Sequence, residues 1–440
     1  MGDAFFIADL MTMIWGYVMR ITGQPRKRGS FLRILLLGLA AARPVFAQGL
    51  TESIENALNV GGGKFNIDLR YRFEYVDQAN LPEVAKADTL RARIGYLTPT
   101  FQGFQAFAEY EGTQDIFSND YNSTWNDKTR HPVISDPQKN EVNQLWIAYS
   151  GVPETVFKVG RQRIIFDNHR FIGNVVWRQL EQTYDSIVIT NTSLPDTTIT
   201  AGYLWKVQDV TSRTIGMNSP VFNIAYTGFP YGKLIVHGEW LDYDNARESY
   251  PTQTFNTLSN STQTVGVRFE GTTSLTDNIK ALYAAEYAWQ EDYADNPKDF
   301  KVDYWMAEGG LDLWGFVFKG SFEELGSDNG QGFRTPLATL HAFQGWADKF
   351  LVTPPDGIRD VYGTLKTSLY GVDIWFVYHD FRDDTGNIRY GEEFDVQVEK
   401  KFGKHYALLF KFADYNSSNP KAFAGNVDTQ KWWLQMGISF

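Results

Sequence analysis

The chain has no cysteine among its 440 residues. That removes a disulfide framework, a thiolate metal site and a cysteine nucleophile together. Histidine is scarce as well: His131, His169, His237, His341, His379 and His405 show no i,i+4 pair and no zinc-like spacing. There is no Gly-x-Ser-x-Gly elbow and no phosphate-cradling Gly-x-x-x-x-Gly-Lys loop. Beyond Ala47 no apolar run approaches the ~18 residues that a membrane-spanning helix needs. Positive charge is in deficit, 41 Lys and Arg against 52 Asp and Glu, which argues against nonspecific binding to nucleic acid. Hydrophobic residues at 43% and charged residues at 21% exclude disorder as a global description. What the chain does hold is aromatic residues, 15% of the total, beside 38 glycines and a mean hydropathy of only −0.33. That combination points to many half-apolar strands.

The first 47 residues differ from the rest. Arg26, Lys27 and Arg28 precede the apolar run Phe31–Ala42, and Val45-Phe46-Ala47 closes the segment. This is the basic, apolar and small-residue order of a secretory signal peptide, with cleavage expected after Ala47. Residues 1–18 fit no part of it, and a start at Met19 gives a leader of ordinary length. The leader carries six of the 41 basic and two of the 52 acidic residues, so residues 48–440 stand near −15.

Period-two alternation recurs through residues 48–440, which read as a single domain. In Lys64–Val76, Phe65, Ile67, Leu69, Tyr71, Phe73 and Tyr75 share one face, and Asn66, Asp68, Arg70, Arg72 and Glu74 share the other. About eighteen such segments occur, with sixteen as the lower count. The links alternate too: Thr98–Gln102, Gly151–Glu154, Gly228–Tyr231, Gly309-Gly310, Tyr370-Gly371 and Phe402-Gly403 are short. Residues 112–140, 164–182, 244–261, 324–358 and 416–429 form long polar connections. Short turns at one end, long loops at the other and aromatics near strand ends predict an all-β fold, an antiparallel transmembrane β-barrel of the Gram-negative outer membrane. Both termini are then expected in the periplasm, and lipopolysaccharide around the barrel. The terminal Phe440, closing an aromatic alternating strand, resembles the signal read by barrel-assembly machinery. A large periplasmic all-β protein is the competing reading.

No catalytic constellation, cofactor or metal site emerges. His379 beside Asp380 has no serine partner, and the acidic pairs Glu291-Asp292, Glu323-Glu324 and Asp383-Asp384 read as solvated faces near loops. Arginine is more informative. Arg70 and Arg72 share the polar face of the first strand and Arg91 and Arg93 that of the second, so a hairpin brings the four together. They are expected in the lumen, because a midplane arginine on the lipid face costs ~2–4 kcal/mol. There they offer planar donor forks to carboxylates or phosphates, or else pair internally with Asp68, Glu74 or Glu109. A second cluster holds Arg161, Arg163, Arg170 and Arg178 among Asp167, Glu181 and Asp185. Its parity is awkward, because Arg161 and Arg163 alternate in phase with Phe157 and Val159. Either a bulge shifts the phase, or Val156 and Gly160 face lipid. The charged link Phe166–Gln182 is expected to fold into the pore and narrow it.

Gly160-Arg161-Gln162, Arg170, Gly173, Trp177-Arg178 and Asp185 resemble the signature stretch of the alginate-export family of outer-membrane porins. The resemblance implies an 18-stranded barrel and a passive pore for an anionic saccharide or small anionic solute, not an enzyme. It also implies Arg161, Arg170 and Arg178 as constriction residues. A general or cation-preferring porin is the alternative within the class, and a barrel enzyme or adhesin the alternative outside it. The loop Gly326–Ile358 stands apart: Leu337, Leu340, Phe343, Trp346 and Phe350 fall at roughly helical spacing. This predicts either an amphipathic helix in the pore mouth or a surface lid packed on neighbouring loops.

Overall fold

A computed structural model describes residues 48–245 and 257–440. The expected leader, 1–47, and part of the fifth long loop lie outside the described residues.

A short helix α1, Gln48–Ala57, precedes the barrel. Eighteen strands follow: β1 Gly63–Gln78, β2 Ala85–Leu97, β3 Phe104–Asp120, β4 Asn140–Val152, β5 Thr155–Gln162 and β6 Thr183–Asn191. Then come β7 Thr197–Gln208, β8 Thr214–Phe229, β9 Gly232–Leu241, β10 Thr262–Thr276, β11 Ile279–Asp292 and β12 Lys301–Leu313. The last six are β13 Phe316–Leu325, β14 Ile358–Leu369, β15 Val372–Arg382, β16 Arg389–Phe402, β17 Tyr406–Ser417 and β18 Thr429–Ser439. Each pairs antiparallel with its sequence neighbours, and β1 pairs with β18 from Asp68↔Ser439 to Gln78↔Thr429. The sheet is therefore closed, which removes every unpaired edge and lets a β-structure sit in lipid.

Alternation sets which face each residue takes. In β1 the even positions Arg70, Arg72 and Glu74 are buried inside the barrel, while Leu69, Tyr71 and Phe73 stay partly open on the outside. The eight tight connections cluster at one end with α1 and the end of β18. Exposed Phe101, Tyr231, Trp314 and Tyr370 ring that end, as an interfacial girdle does. The nine longer connections, numbered L1 to L9 in chain order and including L1 (79–84), L2 (121–139) and L9 (418–428), lie at the other end.

One turn differs from the expectation. Gly309 and Gly310 lie within β12, and the chain reverses at Trp314-Gly315, both at positive φ. A two-residue turn with positive φ at both positions matches the twist of the flanking strands. In β12 the glycine pair is paired across to Gly320 and Lys319.

The interior is filled by two in-folded loops, L3 (163–182) and L7 (326–357). Phe166 and Ile172 of L3 pack with Tyr184, Leu204, Val207 and Met217 of the β6–β8 wall. Phe333, Trp346 and Phe350 of L7 pack with Tyr304, Phe381, Tyr390, Tyr415 and Trp433 of the β12–β18 wall. L3 thus folds inwards as expected. L7 is neither a helix nor a surface lid. Its span 335–350 is a succession of turns with Leu340, Gln344, Gly345 and Asp348 at positive φ, which a right-handed helix cannot accommodate.

Candidate functional site

The β1–β2 register places Arg70 directly opposite Arg91, with Arg72 opposite Thr89 and Asp68 opposite Arg93. Directly opposed residues share a face, so the four arginines converge on one patch of the inner wall. All four are buried. Arg91 pairs with Asp68, and Arg93 with Glu111 and, at 3.4 Å, with Glu181. Arg72 donates to Gln435 Oε1 at 2.7 Å and lies 3.9 Å from Asp136. Arg70 differs. Its guanidinium donates to Gln179 Oε1 and Val176 O, both at 2.9 Å, and to Arg178 O. Among the described residues it makes no ion pair.

L3 brings the second cluster to this wall. Arg178 donates to Glu74 at 2.8 Å and sits 3.7 Å from Asp136. Burial opposes its charge, but Asp136 and Glu74 raise its pKa above the usual arginine value. Arg163 pairs with Glu181 at 2.5 Å and Glu109 at 3.0 Å. Burial would push the Glu181 carboxyl up, yet Arg93 and Arg163 hold it below the usual range. Arg170 crosses to the opposite wall and meets Glu323 at 2.9 Å, with Phe343 of L7 stacked against it.

Arg161 does not join them. It is paired in the ladder with Leu145 and Asp185, on the face that carries the exposed Val159 and Ile187. The phase therefore continues unbroken from Phe157 and Val159, and Arg161 lies on the outer side of the sheet near the long-loop rim. Asp185 holds it there at 2.6 Å. Of the eight arginines singled out in the sequence, the structure brings seven into the lumen and leaves Arg161 outside it.

L3 and L7 are stitched together across the lumen. Ile172 and Leu337 form a bridge, Gly173 N donates to Leu337 O at 2.8 Å, and Thr339 N to His169 O at 3.0 Å. A Cβ on Gly173 would come within 2.8 Å of His169 Cβ and 3.2 Å of Thr339 N, so glycine lets the loops meet. Trp177 of L3 ties the seam to both sides. Its ring stacks on His341 of L7 at 4.4 Å and 3°, and Arg72 of the wall lies 4.1 Å from its centroid.

The wall opposite the arginines is acidic, and the sequence reading missed it. Glu323 lies inside, bonded to Arg170 and Tyr304, and not on a solvated face. His379 takes Asp360 at 2.9 Å and approaches Asp395 at 3.7 Å. Its neighbour Asp380 instead pairs with Arg382 and Arg389. Adjacent strand residues point to opposite faces, so a His-Asp dipeptide in a strand is not a pair. Glu393 and Asp395 accept the backbone amides of Ala347 and Trp346 at 2.6 and 3.2 Å. Gly345 makes that approach feasible: its φ is +80°, and a Cβ would collide with Glu393 Oε2 at 2.5 Å. The alternating parity of Glu323, Glu393 and Asp395 was the available signal.

Among the described residues no group of three or more His, Asp or Glu side chains is placed to hold a metal ion.

The barrel closely follows solved structures of outer-membrane channels. Acinetobacter baumannii OccAB3 aligns with a TM-score of 0.68 at 11% identity, over 87% of this chain and 100% of that one. Pseudomonas aeruginosa OpdL aligns at 0.64 and 14%, over 87% and 99%. P. aeruginosa OpdK, determined with vanillate, aligns at 0.65 and 11%, over 86% and 98%. Identities this low show the fold alone. No curated protein matches the chain. The family model described as alginate export matches residues 63–316, more than half of the sequence. With its closed 18-strand barrel and in-folded loops, the chain belongs to the alginate export family and has the fold of outer-membrane transport porins, which are not enzymes.

Proposed function

We propose that the barrel is a passive channel favouring anions, and that its solutes are acidic saccharides or small organic anions. The supporting observation is the arginine patch, above all Arg70. Its charge is met only by amide and carbonyl oxygens among the described residues, so that part of the wall keeps a positive potential that a passing carboxylate can share. Arg72 adds to it, because its Asp136 contact is long and is shared with Arg178. The long-loop end faces outwards, the short-turn end and both termini face the periplasm, and Phe440 is offered to the assembly machinery. Support for this orientation comes from the distribution of loop lengths, since outer-membrane barrels carry short periplasmic turns. The leader expected at 1–47 is consistent with export.

The test is the reversal potential of purified protein in planar bilayers under a salt gradient. Anion preference is expected, and Arg70→Gln should reduce it. Arg161→Gln should leave it unchanged, because Arg161 lies on the outer face. A cation-preferring channel is the second reading, favoured by the acidic wall of Glu239, Glu286, Asp360, Glu393 and Asp395. All five carboxylates are buried there.

A further inference from the structure

A cavity of about 300 Å³ opens at the long-loop end, beside the L3–L7 seam. That is the lower end of the ~300–1,000 Å³ range of small-molecule sites. Its walls are aliphatic: Val76 at the loop end of β1, Leu81 of L1, Val133 of L2, Val175 of L3, and Leu340 and Leu351 of L7. Gln78, Ser135, His341 and Asp348 also line it.

Two of the three cations that line it have carboxylate partners. Arg178 is met by Glu74 and Asp136. Lys431 is met by Asp348 at 2.7 Å, and the same carboxylate accepts from His341 Nδ1 at 2.7 Å. The remaining cation is Lys349. Its ammonium donates to Thr429 Oγ1 at 2.9 Å and has no carboxylate within ion-pair distance among the described residues. One of its three donors is therefore used. Burial, and then the neighbouring Lys431, push its pKa down to about 8, as befits a cation short of a counter-ion.

We propose that this cavity binds a small organic monocarboxylate with an apolar body, its carboxylate on Lys349 and its body against the aliphatic wall. One unmatched positive charge calls for a monoanion, and the cluster of Val76, Leu81, Val133, Val175, Leu340 and Leu351 calls for an apolar body behind the carboxylate. The site would load solute ahead of the arginine wall, and in that respect it rests on the channel reading above.

Isothermal titration of the purified full chain in detergent micelles with benzoate, glucuronate and benzyl alcohol tests it. Benzoate should bind, and the sugar acid and the neutral alcohol should each bind at least about ten-fold more weakly, the worth of one charge-assisted contact or one apolar ring. Lys349→Met should weaken benzoate about ten-fold and Lys349→Arg should preserve it. Val133→Ser, an exposed loop change, should weaken it by about four-fold, close to one buried methylene. Affinity should also fall above pH 8 as Lys349 loses its proton. Lys431 faces it from β18, Glu393 from β16, Asp428 from L9 and Asp348 from L7.

Equal binding of benzoate and glucuronate, or an unchanged affinity in Lys349→Met, overturns the proposal. The channel reading fails separately. A cation-selective reversal potential with intact benzoate binding removes the selectivity claim alone, and anion selectivity with no benzoate binding removes this site alone.

Discussion

L3 and L7 both fold into the lumen, but the chemistry that holds them is reversed. L3 sends arginines to wall carboxylates, Arg178 to Glu74 and Arg170 to Glu323. L7 offers backbone amides to wall carboxylates, with Trp346 and Ala347 on Asp395 and Glu393. L7 also packs Phe333, Trp346 and Phe350 into an apolar cluster. L3 has an apolar anchor too, Phe166 and Ile172 on the β6–β8 wall, so the contrast lies in the charges: a dissolved anion can compete with Glu74 for Arg178, and the amide contacts of Trp346 and Ala347 offer it no cation. On the channel reading proposed above, L3 is the loop through which passing charge acts, and L7 is the support beside it.

The strongest way to break this comparison is at Arg178. Replacing it with Ala strands Glu74 in a buried site and leaves Asp136 only its long Arg72 contact and the Gln179 amide, and losing one partner of such a pair costs about 3–5 kcal/mol. Limited proteolysis should then cut within 163–182 while 326–357 remains protected. If both loops become sensitive together, they form a single unit and the contrast is lost.

The matching change on the other side is Glu393→Gln with Asp395→Asn. It weakens two hydrogen bonds from backbone amides to buried carboxyl oxygens, worth about 1 kcal/mol each. Because the aromatic cluster remains, single-channel current should become noisier and larger on average without collapse of the barrel. An unchanged current trace would deny L7 its role in narrowing the lumen.

Acidification should separate the loops more gently. His341 is buried against Trp177; burial and then Lys411 keep it neutral well below the usual histidine range, despite the opposing pull of Asp348. Its folded-state pKa is depressed, so its contribution is complete above the unfolded value of ~6.5 and declines as pH falls below that. The protection factors of amides in 335–350, corrected for the slower intrinsic exchange at low pH, should therefore fall between about pH 6.5 and 5, ahead of those in the strands. Equal protection of 335–350 at both pH values would remove His341 from the account.

The smallest effect belongs to Arg161→Gln. Its pair with Asp185 is partly exposed at the rim, where such contacts contribute about 1 kcal/mol or less. Neither loop should change its proteolysis pattern, and unfolding by urea should shift only slightly. A large shift would show that the rim pair helps to hold L3.

All eighteen strands were legible because one physical rule, lipid outside and water inside, writes period-two alternation into each of them. Where that rule was silent, the sequence misled. Leu337, Leu340, Phe343, Trp346 and Phe350 have the spacing of a helix face. In the fold Leu337 joins the β6–β8 cluster, and Trp346 and Phe350 join the β12–β18 cluster. A loop crossing between two walls needs apolar side chains in both directions, and one-dimensional spacing cannot distinguish that from a helix. The arginine patch was legible from parity, and two of its acid partners, Asp68 and Glu74, from the same parity. Asp136 and Glu181 were not, because they arrive on L2 and L3 from ~40 or more residues away in sequence. Glu111 sits opposite Arg93 in the β2–β3 ladder and was open to the same parity argument.

The central claim is that the arginine wall sets a positive potential in the lumen, and the single-channel reversal potential in a salt gradient tests it most directly. The account predicts a reversal potential of the sign set by anion flow, moving towards zero in Arg70→Gln. A reversal potential of the cation-selective sign, unmoved by Arg70→Gln, would contradict it.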